Sequence, residues 1–235
     1  MMRKNLHRLG LLLFGLILSA LATPSFCAET PSKPKIERPN FVIIYIDDMG
    51  YGDIGPFGVG THGDIKIDTP NLDRMAKEGR RFTDFYVTQP VCSASRAGLM
   101  TGCYNVRVGI LGALRPTSTV GINAEETTIA EVLKQKGYAT GCFGKWHLGH
   151  QPKFLPTRNG FDEYYGLPYS NDMWPYLYGG KRGKQWPELR LLENEKVVDE
   201  EVTGEDQCNL TTDYTKRAVS FIERHKDQPF FVYLP

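Results

Sequence analysis

Apolar residues follow two different periods along this chain, and the alternation predicts strands separated by helices. Phe41 to Ile46 is a continuous apolar and β-branched run, which is typical of a strand buried on both faces. Tyr138 to Phe143 and Pro229 to Leu234 are similar runs and predict two further strands. Arg81 to Val87 alternates between polar and apolar residues and also predicts a strand.

Three segments between these runs predict helices, because they combine apolar residues at helical spacing with residues suited to helix ends. The first opens at Thr69-Pro70-Asn71 and stops at Gly79. The second begins with a capping box between Thr128 and Glu131, and the third covers Thr212 to Lys226. Strands that alternate with helices predict an α/β fold with a mixed, largely parallel sheet flanked by helices on both faces.

The N-terminus has the pattern of a secretory signal peptide. Basic residues precede an apolar run from Leu9 to Ala22, which is short for a membrane span. We therefore predict a signal peptide over residues 1–28, cleaved after Ala22 or after Ala28, followed by a proline-rich linker over residues 29–39. An uncleaved anchor is the alternative. The expected protein is exported, to the periplasm, the extracellular space or the lysosome depending on the host, with no stable membrane anchor.

Length and charge narrow the class of protein. The chain has 235 residues, which suits one α/β domain after the leader. Its formal net charge is +1, so overall electrostatics do not favour a nucleic acid partner.

Of the five cysteines, Cys142 lies in a predicted strand and is expected to be a buried thiol. The sequence does not show whether Cys103 or Cys208 forms a disulfide.

The run Cys92-Ser93-Ala94-Ser95-Arg96 is the most informative candidate for chemistry. Its hydroxyls suit the first turn of a helix, where exposed N–H groups favour an anion. Arg96 adds a fork of hydrogen-bond donors that also suits an anion. A reactive sulfur would then lie beside an anion site. The alternative is a small buried thiol next to a surface arginine.

Two pairs of polar residues follow predicted strands, where open α/β sheets bind ligands. Asp47 and Asp48 come after the first strand; adjacent carboxylates suit Ca²⁺ or Mg²⁺, and the alternative is a solvated turn. Lys145 and His147 come just after another strand and, in an extended chain, would point to one side. Alone, either side chain would more often be structural.

Four blocks together resemble the type I sulfatase family, which uses formylglycine and belongs to the alkaline phosphatase superfamily. Cys92 to Gly102 is similar to the family's Cys-x-Pro/Ala-Ser-Arg modification motif with its following helix. Pro39 to Asp53 and Gly144 to Gly149 match two further blocks, and Leu167 to Asp172 resembles the arylsulfatase A branch. The resemblance implies an alkaline phosphatase-like fold. It also implies that residues 40–235 are the N-terminal portion of a catalytic domain whose C-terminal part is absent.

The resemblance implies hydrolysis of a sulfate monoester, an aryl or carbohydrate sulfate carried by a small molecule or glycan. Cys92 would be oxidised to formylglycine by a formylglycine-generating or sulfatase-maturating enzyme, and its hydrate would attack sulfur. The catalytic residues would be Cys92, Arg96 and His147, and Lys145 and Ser170 would bind the substrate. Ca²⁺, or alternatively Mg²⁺, would be held by Asp47, Asp48 and the formylglycine made from Cys92.

The sequence departs from the family near the modification motif, and other functions remain open. Ala94 replaces the commoner proline, and Cys103 stands where an arginine usually follows Thr-Gly. Known sulfatases continue beyond this region with a histidine, an Asp-Asn pair and a lysine, so this chain alone is expected to be inactive. The alternatives are a phosphomonoester or phosphonate hydrolase of the same superfamily and an inactive, truncated binding module.

Overall fold

The computed structural model describes residues 38–57, 61–62, 65–176 and 186–235, so the predicted signal peptide and most of the predicted linker lie outside the described residues. The strands are β1 Phe41–Ile44, β2 Thr61–His62, β3 Ile65–Lys66, β4 Ala139–Phe143, β5 Glu163–Gly166, β6 Leu191–Glu193, β7 Lys196–Asp199 and β8 Phe230–Leu234. The α-helices are α1 Pro70–Glu78, α2 Cys92–Thr101, α3 Ile129–Gln135 and α4 Gly204–His225.

A six-stranded mixed sheet organises these elements in the order β1-β8-β4-β5-β6-β7. The first four strands in this order are parallel, and β6 and β7 extend the sheet by antiparallel pairing. Cys142 and Tyr233 point towards the face covered by α2 and α3. Phe143 and Val232 point to the opposite face, against α4. The predicted α/β fold is therefore confirmed.

Local sequence signals account for most of the element boundaries. Thr128 accepts a hydrogen bond from the Glu131 amide and the Glu131 carboxylate accepts one from the Thr128 amide, which is the predicted capping box. Helix α4 begins at Gly204, earlier than predicted, because Thr203 and Asp206 form a second capping box. Among the described residues, no helix combines the length and apolarity needed to cross a bilayer.

Two strand predictions need correction. β1 was expected to be buried on both faces, but Val42 is 48% exposed and Ile44 is 54% exposed. Among the described strands β1 pairs only with β8, so it forms one edge of the sheet. Residues 81–87 form no strand, and Phe82 and Tyr86 are exposed. An alternating pattern stabilises a strand only where another strand supplies hydrogen bonds, and none of the described strands pairs with this segment.

The close approach of β5 to the turn after β4 gives a first prediction. A Cβ atom on Gly166 would overlap the backbone carbonyl of Gly144, which cannot move as a flexible side chain could. We expect Gly166→Ala to lower the free energy of unfolding by about 1–3 kcal/mol in chemical denaturation. Gly112→Ala is the matched control, because its added Cβ would meet no heavy atom within 4 Å. Equal stability of the two variants would contradict this packing.

Candidate active site

The polar residues singled out above gather at the carboxyl ends of the parallel strands. Asp47 and Asp48 follow β1, Lys145 and His147 follow β4, and Ser170 follows β5. Backbone hydrogen bonds join these loops: the Lys145 amide donates to the Pro235 carbonyl over 3.2 Å, and the His147 amide donates to the Pro168 carbonyl over 3.2 Å. The sheet thus brings together residues that are far apart in sequence.

Asp47 is the anionic centre of this cluster. The Lys145 ammonium donates to its carboxylate, and Nη2 of Arg96 lies 3.5 Å from the same oxygen. Lys145 also donates to the Ser170 hydroxyl over 2.9 Å. Partial burial of the Asp47 side chain alone would raise its pKa, but the hydrogen bond and charge of Lys145, with the charge of Arg96, hold that pKa below its ordinary value. Asp47 is therefore a carboxylate at neutral pH.

Arg96 is fully buried and does not form a surface ion pair, which was the structural alternative. Its Nη1 donates to the Lys145 carbonyl over 2.7 Å and to the Tyr233 hydroxyl over 3.3 Å. Its guanidinium carbon lies 5.1 Å from the centre of the Tyr45 ring, within the range of a cation–π interaction. Among the described residues Nε and Nη2 are buried and donate no hydrogen bond, although Nη2 is ion-paired with Asp47. Arg96 thus fixes the backbone that carries Lys145.

His147 is also fully buried, and its contacts define its tautomer. Nε2 lies 2.7 Å from the Leu114 carbonyl, which can only accept, so Nε2 carries the proton. Nδ1 is then a lone-pair acceptor, and it is buried with no hydrogen-bond partner in the described part of the chain. The Leu114 amide donates to the Ser93 hydroxyl over 3.0 Å, which ties His147 to the first turn of α2. The turn is not extended, as the sequence argument assumed, because φ of His147 is 58°.

The buried histidine predicts a pH dependence of stability. Burial, then the charge of Lys145, lowers the pKa of His147 to about 4, although the Leu114 hydrogen bond opposes this. The unfolded chain binds this proton near pH 6.5 and the folded chain resists it, so folding loses up to about 3 kcal/mol from this residue as pH falls from 6.5 to 4. We expect His147→Gln to flatten the fall of unfolding free energy over this range, measured by urea denaturation. An unchanged slope would contradict the assignment.

Cys92 is the first residue of α2 and is half-buried and free. Its carbonyl accepts a hydrogen bond from the Ser95 hydroxyl over 3.0 Å, and Val91 is the residue that precedes the helix. The first turn of α2 lies near His147, because Leu114 contacts both the Ser93 hydroxyl and the His147 ring, and the N-terminal end of a helix favours an anion. Cys142 is buried as predicted, and burial raises the pKa of its thiol. Among the described cysteines no disulfide is formed.

Asp47 and Asp48 carry the oxygen ligands that Ca²⁺ and Mg²⁺ prefer, but two side chains do not complete the coordination of either ion. Asp47 and Asp48 are both exposed and adjacent, and Asp48 has a left-handed backbone with φ of 58°. Ca²⁺, for example, takes roughly 6–8 oxygen ligands. Within the described part of the chain, no three His, Cys, Asp or Glu side chains form a metal-binding group. The two aspartates would therefore hold a cation only together with other ligands.

Sequence reasoning missed the two tyrosines that surround Arg96. Tyr45 and Tyr233 lie in the apolar runs that predicted β1 and β8, where they read as core residues. A tyrosine within an otherwise apolar strand could have indicated a polar partner, because the hydroxyl of a buried tyrosine usually forms a hydrogen bond. Leu114 contacts His147 and Ser93 through its backbone carbonyl and amide, and no side-chain pattern indicates such contacts.

Comparison with known proteins identifies the family of this chain. The profile of the family described as Sulfatase matches residues 39–235. Arylsulfatase G of Rattus norvegicus is 39% identical over 96% of this chain and 46% of its own length. Arylsulfatase A of Homo sapiens is 50% identical over 58% of this chain and 27% of its own length.

Solved structures give the same result. A sulfatase from Pseudoalteromonas sp., PsFucS1, aligns with a TM-score of 0.72 and 32% identity over 84% of this chain and 43% of that one. The structure titled Ps i-CgsB aligns with a TM-score of 0.69 and 35% identity over 84% and 44% of the two chains. The chain spans less than half the length of these relatives. It belongs to the sulfatase family.

Proposed function

We propose that this chain supplies the nucleophile and part of the sulfate site of an enzyme that hydrolyses sulfate monoesters, either aryl or carbohydrate sulfates. The observation that carries the proposal is the cluster of Asp47, Lys145, Arg96 and His147 beside the helix that begins at Cys92. Membership of the sulfatase family supports it.

The nucleophile in this proposal is formylglycine made from Cys92 by a formylglycine-generating or sulfatase-maturating enzyme. The hydrate of this aldehyde supplies one hydroxyl oxygen to attack sulfur as the ester oxygen leaves, and a second hydroxyl whose deprotonation restores the aldehyde and expels sulfate. The position of Cys92 at the start of α2 supports this assignment, because helix N–H groups stabilise negative charge there.

The surrounding side chains have distinct roles in this proposal. Lys145, which already binds a carboxylate and the Ser170 hydroxyl, would bind a sulfate oxygen together with Ser170. His147 presents a neutral Nδ1 that can accept a proton from a hydroxyl, since Nε2 is committed to Leu114. Arg96 holds the Lys145 backbone in place and places its positive charge beside Asp47.

A divalent cation, Ca²⁺ or alternatively Mg²⁺, belongs to the same proposal. Asp47 and Asp48 would hold it, with formylglycine at position 92 and further ligands from outside the described residues. When bound, the cation would neutralise sulfate oxygens and lower the pKa of the attacking hydroxyl. The hard oxygen chemistry of the two aspartates supports this choice of metal.

The proposal includes the protein's maturation and location. The basic and apolar N-terminus supports export to the periplasm, the extracellular space or the lysosome, and the substrate would be a sulfated small molecule or glycan. The chain covers 46% of the arylsulfatase G of Rattus norvegicus, so activity is expected of the longest product of the gene.

Turnover of para-nitrophenyl sulfate and para-nitrophenyl phosphate by that longest product tests the reaction class. We expect the matured protein to hydrolyse the sulfate ester with the higher kcat/KM. A higher kcat/KM for the phosphate ester would instead support a phosphomonoester hydrolase. No turnover of either ester by a protein that carries formylglycine would support a binding module.

A further inference from the structure

Ser93 is a fully buried hydroxyl that the chemistry proposed above does not use. It lies in the first turn of α2, directly after Cys92. Its oxygen accepts a hydrogen bond from the Leu114 amide over 3.0 Å, and the Leu114 carbonyl accepts the Nε2 proton of His147 over 2.7 Å. Two hydrogen bonds through one residue thus link the helix that carries the proposed nucleophile to the ring of His147.

Leu114 lies in a segment whose position is fixed by side-chain contacts and not by a strand or helix. Residues 110–115 belong to no helix or strand. At the start of this segment the Asn105 side chain donates to the Ile110 carbonyl over 2.7 Å, and both residues are buried. Near its end the Ser93 hydroxyl holds the Leu114 amide. The Leu114 carbonyl therefore keeps its place through contacts that include Ser93.

The backbone of His147 makes the position of its ring depend on such contacts. Its φ of 58° lies in the left-handed region, where a non-glycine residue persists when the surrounding structure fixes it. The His147 amide donates to the Pro168 carbonyl, which holds the backbone. The bond from Nε2 to Leu114 holds the ring and leaves Nδ1 as the acceptor. A shift of Leu114 would therefore turn the ring or release its Nε2 proton.

We propose that Ser93 is a positioning residue, which sets the orientation of the His147 ring through the Leu114 backbone. The proposal rests on the proposed sulfatase function, in which Nδ1 of His147 accepts a proton from a hydroxyl. Because Ser93 and Cys92 are neighbours in one helical turn, these hydrogen bonds place the base relative to the helix of the nucleophile. The competing explanation is that the hydroxyl only satisfies a buried amide and stabilises the fold.

Ser93→Ala in the longest product of the gene removes the acceptor of the Leu114 amide. We expect kcat for para-nitrophenyl sulfate to fall about tenfold with KM nearly unchanged, because a misplaced base weakens the chemical step and not the binding of sulfate. Ser93 adjoins the modified residue, so each kcat is expressed per mole of formylglycine, measured from the mass of the peptide that contains position 92. Ser93→Thr keeps the hydroxyl and should restore kcat.

Thr140 supplies the matched control. Like Ser93, it is a fully buried hydroxyl that accepts a hydrogen bond from a backbone amide, in this case that of Asp162 over 3.0 Å. Thr140 lies near the start of β4, whereas Lys145 and His147 follow the other end of that strand. Thr140→Val should lower the midpoint of thermal unfolding at least as much as Ser93→Ala does, and it should leave kcat unchanged.

Proton NMR of the His147 ring measures the positioning itself and needs no turnover. The Nε2 proton is buried and bonded to Leu114, so its signal should be protected from solvent exchange in the wild-type protein, in Ser93→Thr and in Thr140→Val. The signal is assigned by its absence from His147→Gln. In Ser93→Ala it should shift or exchange faster with solvent.

The two measurements separate this proposal from the proposed function. If the wild-type protein hydrolyses sulfate esters, an unchanged ring signal or an unchanged kcat in Ser93→Ala would overturn the positioning role. An equal fall of kcat in Thr140→Val would also overturn it, because the effect would then be one of stability alone. If no ester is hydrolysed, the sulfatase proposal fails, and a changed ring signal in Ser93→Ala alone would still support the positioning of His147 by Ser93.

Discussion

Cys92→Ala in the longest product of the gene is expected to remove sulfate ester hydrolysis, with kcat/KM lower by on the order of 10³-fold or more. Alanine carries neither a thiol nor an aldehyde precursor, so the site loses its proposed nucleophile but keeps Lys145 and Ser170, the proposed sulfate-binding pair. KM should change less than kcat for this reason. Para-nitrophenyl sulfate turnover is the measurement.

Two comparisons make the Cys92 result specific. Cys208→Ala is the matched control, because Cys208 is a free, exposed cysteine on α4, outside the cluster, and its loss should leave turnover unchanged. Expression without a formylglycine-generating enzyme should reproduce the Cys92→Ala result. Full activity of Cys92→Ala would show that another group attacks the ester.

Asp47→Asn is the second change with a large expected effect. Asp47 is the carboxylate shared by Lys145 and Arg96, so an uncharged amide would leave both cations without their anion. It would also remove one of the two proposed metal ligands. We expect kcat/KM to fall by on the order of 10²-fold or more and Ca²⁺ affinity, measured by isothermal titration calorimetry, to fall with it.

Asp213→Asn is the control for this loss of charge. Asp213 lies on α4 and pairs only loosely with Lys216, at 3.8 Å, so its replacement should leave both Ca²⁺ affinity and turnover unchanged. Wild-type Ca²⁺ affinity in Asp47→Asn would remove this residue from the metal site. Wild-type turnover would show that the cluster is not the sulfate site.

The convergence of the site could be predicted from the sequence because it follows from topology. Asp47 and Lys145 each follow a run that predicts a strand, and parallel strands bring their carboxyl ends to one edge of the sheet. The capping box at Thr128 is local and could be predicted for the same reason: both partners lie within one turn. In both cases the residues that determine the structure can be recognised in the sequence itself.

Other features could not be predicted because their causes are distant in sequence. The sequence assigns Arg96 to the site but does not show that it is buried, because one of its partners, Tyr233, lies 137 residues away. The tautomer of His147 depends on the Leu114 carbonyl, a backbone group. The apolar run of β1 predicts burial, but burial requires neighbours on both sides, and the described sheet places β1 at its edge.

The most direct test of this account is the mass of the peptide that contains Cys92, taken from the protein purified from its native host and matched to sulfate ester turnover by the same sample. We predict that the active sample carries an aldehyde at position 92, detected by its mass and by its reaction with a hydrazide. A sample that hydrolyses sulfate esters with only an intact thiol at position 92 would contradict the account.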